Sequence, residues 1–557
     1  MPTSNRRPRR PRNVPSPEDN VRSLEINGRR AQVPAGGSVL DACRSLGVPI
    51  PTMCYLDGYE YFTSCMVCVV KEKKSGRLLP SCSALAQDGM AIETDSEEVR
   101  DARRTALELL LSDHVGDCEG PCQRACPAHM DIPLMIRQIR ENRMRDAIRT
   151  VRRDIVLPAV LGRICPAPCE KVCRRAQADE AVSICLLKRH AADTDLMAGS
   201  PWDSPPEADK GKKVAVVGAG PAGLAAAAHL RRDGYAVALY DDHDAPGGTL
   251  RTSVPEERLP RRVVDLEADI IRRSGVEFRM GVRVGQQVGW TELKKEFQAV
   301  VLAVGSKDAG KLKEMFGVET TRRGVKVDSG TFQTSDPMVF AAGGAVAECK
   351  MAVRALAQGK AAACSVDQFL SGRPVTGPRD RFNSVIGRLQ EGEIEEFRKS
   401  ASSDPRVGPS GGVEAGFAHP EAEKECGRCF HCDCRKPESC RLRRYAEEYG
   451  AEQSKLKGTS RCKFAQVRQH ADIVYEPEKC IKCGLCVRIT EKAREPLGLA
   501  FVGRGFTVRI RVPFHESLQK GLEKTGAECV KACPTGALSF LHAPDEGFSM
   551  DGGLVRS

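Results

Sequence analysis

Seven cysteines fall within the seventy-two residues from His114 to Cys185, in the order His-x3-Cys-x3-Cys-x3-Cys-Pro, then Cys-Pro-x2-Cys-x3-Cys, then one more. Thiols set a helical turn or less apart, in two successive triplets, can wrap an iron–sulfur cube. The whole chain holds 25 cysteines in 557 residues. Its N-terminus, rich in arginine and proline, has no apolar segment behind it, so no export signal is expected and the protein is read as cytoplasmic. In a reducing compartment cysteines serve as metal ligands or redox centres more often than as disulfides. No stretch approaches the ~18 apolar residues of a membrane span. The net charge of +11 includes five arginines in the first twelve residues. That segment, 1–20, reads as a solvated, disordered basic tail. Aromatics make up only 5%, without the basic, stacking-rich stretch that single-strand binding uses, so nucleic acid is excluded as a partner.

Length alone suggests about three or four domains of ~150 residues. The first, 21–97, opens with alternating apolar positions (Val21, Leu24, Ile26), a turn at Asn27-Gly28 and a second strand through Val33. A short helix with Ser38 as its N-cap follows. Cys54, Cys65, Cys68 and Cys82 are spaced C-x10-C-x2-C-x13-C, which suits a [2Fe–2S] rhomb better than zinc. The segments Pro51-Thr-Met-Cys54-Tyr, Ser64-Cys65-Met-Val-Cys68-Val and Pro80-Ser-Cys82 resemble the β-grasp ferredoxin domain at the N-terminus of the complex I large iron–sulfur subunit and of iron-only hydrogenases. Cys43 lies outside that pattern and is read as core.

A helix over Val99–Leu111 delivers His114-x3-Cys118, and in those same families the corresponding histidine ligates a [4Fe–4S] cluster. The segment 98–195 then departs from them. Cys118, Cys122 and Cys126-Pro, with Cys165-Pro, Cys169 and Cys173, are similar to the helical two-cluster domain of the glutamate synthase small subunit and dihydropyrimidine dehydrogenase. In that family the ligands interleave. The resemblance implies one cube on Cys118, Cys122 and Cys173 and another on Cys126, Cys165 and Cys169. His114 is expected to complete the first and Cys185 the second, because Lys188, at the family's remaining ligand position, cannot ligate while charged.

A polar, Pro-rich linker (196–212) leads to Val214-Ala-Val-Val-Gly218-Ala-Gly220-Pro221-Ala222-Gly223, a buried strand entering a G-x-G-x-x-G turn. Glycines there let backbone N–H groups and a helix N-terminus approach a pyrophosphate. A second strand ends in Asp241, at the distance where a carboxylate takes ribose hydroxyls. Gly247-Gly248-Thr-Leu250-Arg251 and Pro255-Glu-Glu-Arg258, with the closing strands before Gly305 and before Gly343-Gly344, resemble the Rossmann-like FAD domain of the glutamate synthase small subunit. FAD is therefore expected on 213–372. Two departures stand out. The family's inserted NAD(P)H domain has no room in the thirty-odd residues between Gly305 and Val339, and the family's final Asp is Gly344 here.

A connector (373–425) carries a short helix over Glu391–Lys399. Cys426, Cys429, Cys432, Cys434, Cys440 and Cys462 follow; the motif 426–465 can hold either a further [4Fe–4S] cube or zinc, and spacing leaves both open. Residues 466–545, with Cys480-x2-Cys483-x2-Cys486 and Cys529-x3-Cys533-Pro, resemble a bacterial two-cluster ferredoxin. Thr490, Glu523 and Gly526 replace ligands of one cluster, which leaves a single cube on Cys480, Cys483, Cys486 and Cys533. Residues 546–557 read as a tail.

The expected fold class is thus multidomain α/β and α+β. One [2Fe–2S], three [4Fe–4S], FAD and one undetermined metal site make an electron-transfer subunit of a larger redox complex. Its partner would be a catalytic molybdopterin, hydrogenase or NADH-binding flavoprotein subunit, with a ferredoxin as another candidate. No acid–base or nucleophile constellation is present, so no catalytic residue is expected. The alternatives are a self-sufficient FAD-dependent oxidoreductase acting on a small molecule, and a zinc-bound scaffold.

Overall fold

The structure is a computed structural model that describes residues 21–199, 206–305 and 309–542. The basic tail, residues 200–205 of the linker and the 546–557 tail lie outside the described residues. The chain divides into two compact units. Unit 1 comprises Met1–Cys118, Phe382–Arg388 and Cys434–Ser557; unit 2 comprises Glu119–Arg381 and Leu389–Asp433. Unit 2 therefore lies in the chain between Cys118 and Cys434, interrupted by one return to unit 1 at Phe382–Arg388, and the division falls inside the cysteine-rich motif that the sequence suggests is continuous.

Unit 1 begins with the hairpin Val21–Ile26/Arg29–Pro34. Asn27 and Gly28 both take positive φ (50° and 80°), as a two-residue turn matching strand twist requires. Leu24, Ile26, Ala31 and Val33 alternate inward and are buried. The sheet has five strands in the order Arg29–Pro34, Val21–Ile26, Ala91–Glu93, Val69–Glu72, Arg77–Pro80, with the second and third parallel. Helix Val39–Ser45 starts at a capping box of Ser38 and Asp41 and buries Cys43 completely in the apolar core, as expected. Helix Glu97–Ser112 extends the predicted helix by two residues toward Ser96, whose hydroxyl accepts the Val99 N–H. From it the buried guanidinium of Arg103 donates to the Val69 carbonyl (2.9 Å) and the Tyr449 hydroxyl (2.9 Å), tying the sheet to helix Arg441–Tyr449. The C-terminal part pairs Ile473–Tyr475 with Leu538–Phe540 and Ala500–Val502 with Arg509–Arg511, both antiparallel, around helices Leu485–Lys492 and Gly526–Ala532.

Unit 2 has a helical layer (Ile132–Arg140, Met144–Asp154, Pro158–Ile164, Ile184–Met197) and a parallel sheet. The strand order is Val339–Ala341, Ala299–Leu302, Lys213–Val217, Ala236–Asp241, Glu277–Met280, a doubly wound arrangement buried on both faces. Helix Pro221–Arg232 leaves the glycine turn and packs against Ala352–Leu370; at Gly359 a Cβ would stand 2.1 Å from the Ala222 carbonyl oxygen, so only glycine permits this approach. Between Leu302 and Val339 the described residues form one helix, Ala309–Phe316, and one two-residue ladder, in keeping with the absence of room for a second nucleotide domain. Glu267, fully buried, accepts the N–H groups of Ala159 (2.8 Å) and Val160 (2.9 Å) at the start of Pro158–Ile164, closing that orphaned helix end.

Candidate redox centres

The structure gathers the cysteines into five sets, each within one unit. Cys54, Cys65, Cys68 and Cys82 are buried, and their thiols hydrogen-bond to one another, Cys54 with Cys65 and Cys82, and Cys68 with Cys82. The expected quartet is thus convergent. Met66 takes φ 55°, which turns the Val67 N–H toward the Cys65 sulfur.

Backbone donors meet other sulfurs as well. The N–H groups of Lys482 and His431 lie 3.4 Å from the Cys480 and Cys429 sulfurs, and the Ala167 N–H points toward Cys165. Each donor dipole favours the thiolate form of its sulfur.

Cys480, Cys483, Cys486 and Cys533 line one pocket whose other walls include Tyr475, Leu485, Ile510 and Leu538. Cys529 lies behind this pocket; it is fully buried, its thiol faces the Cys486 carbonyl oxygen at 3.8 Å, and Cys533 is among its acidic neighbours. Cys126, Cys165, Cys169 and Cys185 also come together: Cys185 hydrogen-bonds to Cys165 and Cys169, and Cys126, Cys165 and Cys169 line one pocket.

The remaining ligands group differently from the sequence expectation. Cys118 faces cysteines from far along the chain. Its acidic neighbour is Cys434, and Cys440 feels both Cys434 and Cys118. The reason is topological: the chain leaves at Cys118 and returns at Cys434, whose N–H donates to the Cys118 carbonyl (3.2 Å). Ser384 donates its N–H to the Cys118 sulfur (3.3 Å) and Arg443 to that of Cys440 (3.4 Å). Gly536 makes room, since a Cβ there would lie 2.2 Å from the Cys434 sulfur. His114 shares its charged neighbour, Lys479, with Cys118. The His114 Nδ1 is buried with no hydrogen-bond partner. Burial, reinforced by Lys479, lowers its pKa to about 3, so the ring is a neutral nitrogen donor.

Cys122 instead neighbours Cys429, Cys432 and Cys173. Beside them Arg137 grips Asp433 through two hydrogen bonds (3.0 and 2.8 Å). The undetermined motif is therefore divided between two sets. Cys426 belongs to neither: it is fully buried in the apolar core, and the charged groups around it are Glu425, Arg140 and Glu423. Cys462 is exposed and accepts from Arg509 (3.2 Å).

Burial pushes the thiols of Cys118 and Cys480 up to about 11 and those of Cys429 and Cys440 to about 12. Such sulfurs become thiolates when a metal centre supplies the compensating charge.

In the Rossmann-like domain Gly218 (φ 109°) faces Ala303 so closely that a Cβ would stand 2.3 Å from its carbonyl oxygen, and a Cβ on Gly223 would meet the Gly218 oxygen at 1.8 Å. Gly220, by contrast, opens on free space, the cradle a pyrophosphate takes. The Asp241 carboxylate accepts the N–H groups of Ala219 (2.6 Å) and His243 (2.9 Å), fixing the turn. Pro221 and Ala222 begin the helix, and Gly248 meets Gly220 across the loop. Leu250 is buried, Arg251 donates to Pro246 O (2.5 Å) and pairs with Asp265, and Arg258 is exposed. Gly343 (φ 67°) donates its N–H to Gln358 (2.9 Å) beside Gly344.

The chain therefore joins iron–sulfur domains to a pyridine-nucleotide oxidoreductase domain. Family models agree: a 2Fe-2S iron-sulfur cluster binding domain matches residues 20–97, and dihydropyrimidine dehydrogenase domain II, 4Fe-4S cluster, matches 96–200. An NAD(P)-binding Rossmann-like domain matches 216–280 and a pyridine nucleotide-disulphide oxidoreductase domain 250–359. Among relatives, the NADPH-Fe(3+) oxidoreductase subunit beta of Geobacter sulfurreducens is 41% identical over 37% of this chain and 30% of its own length. The glutamate synthase [NADPH] small chain of Mycobacterium tuberculosis is 39% identical over 34% of this chain and 39% of its own. The NAD-dependent dihydropyrimidine dehydrogenase subunit PreT of Escherichia coli is 38% identical over 34% and 46%. The chain thus spans less than half the length of these relatives.

Proposed function

We propose that this chain is an iron–sulfur flavoprotein that conducts electrons as a subunit of a larger, cytoplasmic redox complex. In this reading it holds FAD on the Gly218–Gly223 turn and one [2Fe–2S] on Cys54, Cys65, Cys68 and Cys82. Four [4Fe–4S] centres complete it, on His114/Cys118/Cys434/Cys440, Cys122/Cys173/Cys429/Cys432, Cys126/Cys165/Cys169/Cys185 and Cys480/Cys483/Cys486/Cys533. When bound, such groups supply one-electron carriers and a flavin that exchanges pairs for single electrons.

The observation that carries the reading is the serial order of the thiol sets. In unit 1 Cys483 feels Cys54, and Cys440 feels Cys533, so the C-terminal set lies between the other two. In unit 2 Cys122 and Cys126 bracket one helical turn, Pro121–Ala125, and deliver neighbouring sets. The residues themselves hold these positions, exclude water with apolar walls and donate N–H groups to sulfur. The relatives, which are subunits or small chains, favour a conduit with its catalytic partner on another chain, a molybdopterin, hydrogenase or nicotinamide-binding subunit. No helix among the described residues is long and apolar enough to cross a membrane.

The test is anaerobic purification of the full chain with iron, sulfide, zinc and flavin per polypeptide, followed by NADH and NADPH addition. About 18 irons, FAD, no zinc and no direct bleaching by nicotinamides are expected. Rapid bleaching by NADH would move the protein to the self-sufficient FAD oxidoreductases, and stoichiometric zinc without sulfide to the scaffolds.

A further inference from the structure

Buried cations stand beside the thiol sets, and two of those facing the sulfurs are neutralised by carboxylates. Lys479, near Cys118 and His114, pairs with Glu476 at 2.7 Å. Arg137, near Cys122 and Cys429, pairs with Asp433. Lys188 is different. It is 4% exposed, its hydrogen-bond contact is the Cys185 sulfur at 3.9 Å, and among the described residues no carboxylate pairs with it. The acidic groups around it are Cys185, Cys165, Cys169 and Cys126. With Cys126, Cys165 and Cys169 it lines a pocket whose other walls include Met130, Ile132, Ile155, Ile184 and Val353; it is the one charged residue there.

A buried charge left without a partner costs several kcal/mol, so the fold must provide an anion. Neutral thiols do not. A cube held by thiolates does, because it is anionic in both redox states and gains one further negative charge on reduction. A fixed cation in a low-dielectric pocket stabilises the more negative state more strongly, which makes reduction easier.

We propose that Lys188 is a positioning residue that raises the reduction potential of the centre held by Cys126, Cys165, Cys169 and Cys185 above that of the Cys122/Cys173/Cys429/Cys432 centre, whose buried charges cancel. Electrons entering unit 2 then come to rest on the centre in the Lys188 pocket. The inference rests on the cluster reading given above.

The experiment is a redox titration of the full-length, anaerobically purified protein followed by electron paramagnetic resonance, with Cys165→Ser used to assign the signal. Lys188→Met is expected to move that midpoint negative by at least a tenfold change in the reduction equilibrium, ~59 mV for one electron. Lys188→Arg, which keeps the charge, is expected to stay near the wild type. An intact centre with an unmoved midpoint in Lys188→Met overturns the role of Lys188 alone. Loss of no signal in Cys165→Ser overturns the cluster reading itself, and this proposal with it. Should Lys188→Met fail to assemble, wild-type protein labelled with 15N-lysine decides by pulsed double resonance on the reduced state. A weak, non-bonded 15N coupling to the assigned signal supports the proposal, and no coupling, or one of iron-bonded strength, overturns it.

Discussion

At the scale of single residues, cysteine count alone does not separate ligands from packing; the surroundings do. Cys426 stands first in a Cys-x2-Cys-x2-Cys run and reads as a ligand, yet its helix, His419–Cys426, turns it into the core. Cys426→Ala is therefore expected to leave iron and sulfide per chain unchanged while lowering thermal stability modestly, as a small buried truncation does, by about 1 kcal/mol; a loss of about four irons would reinstate it as a ligand. The regrouping of the other cysteines makes a sharper prediction. Cys118→Ser and Cys434→Ser should abolish the same paramagnetic signal, and Cys122→Ser and Cys432→Ser a second one. If Cys118→Ser and Cys122→Ser removed one common signal, the interleaved assignment expected from sequence would stand instead. Spacing places Cys118 and Cys122 one turn apart and implies a shared centre, whereas only the folded chain shows that Cys434 accompanies the first and Cys429 the second. The residues whose N–H groups meet sulfur, His431, Lys482, Ala167 and Val67, carry no sequence signal of their own beyond lying between paired cysteines.

Among elements, the Rossmann turn was the most legible, because strand, glycine turn, helix and acidic second strand end all agree. It also permits a test of its ligand that does not confuse folding with binding. Gly220 takes an ordinary φ of −74°, and a Cβ there meets no protein atom within 4 Å. Gly220→Ala should melt like the wild type and purify without flavin; retained FAD would mean the pyrophosphate does not pass this turn. The helix Pro158–Ile164 carries a pH dependence that sequence did not suggest, since its N-terminus is closed by Glu267 from more than a hundred residues away. Burial, opposed by hydrogen bonds from Val160 and Ala159, raises Glu267 to about 7 from an ordinary 4.5. A carboxyl with a raised folded pKa contributes stability fully below its unfolded value and loses it as pH climbs through the folded one. Unit 2 is thus expected to lose on the order of 3 kcal/mol between about pH 4.5 and 7 through this group. Thermal melting of the flavin-bound protein across that range should show the decline in wild type and a flatter profile in Glu267→Gln; parallel profiles would remove Glu267 as the source.

For the molecule as a whole, the sequence displays modules in a row, and the fold nests them. Helix, hairpin and loop signals are local and survive in the order of the chain, so the ferredoxin sheet, the helical layer and the parallel sheet could all be read. The nesting could not, because the pairing of Cys118 with Cys434 and Cys440 spans residues 119–433 and leaves no local trace. It has a mechanical consequence. The set proposed on His114, Cys118, Cys434 and Cys440 would hold both the first exit and the last return of the chain, and a metal centre bound there would crosslink a loop of some three hundred residues. Closing so long a loop costs entropy that ligand bonds must offset, and metal binding at such a site is coupled to local folding. Cys434→Ser should therefore leave the [2Fe–2S] signal and the flavin content intact, since neither depends on these ligands, yet expose the crossings at Cys118–Glu119 and Asp433–Cys434. Limited proteolysis with mass spectrometry is expected to cut the variant near these two crossings several-fold faster than the wild type. Equal cleavage rates would mean that apolar packing, not the ligand set, holds the two ends of the insertion together.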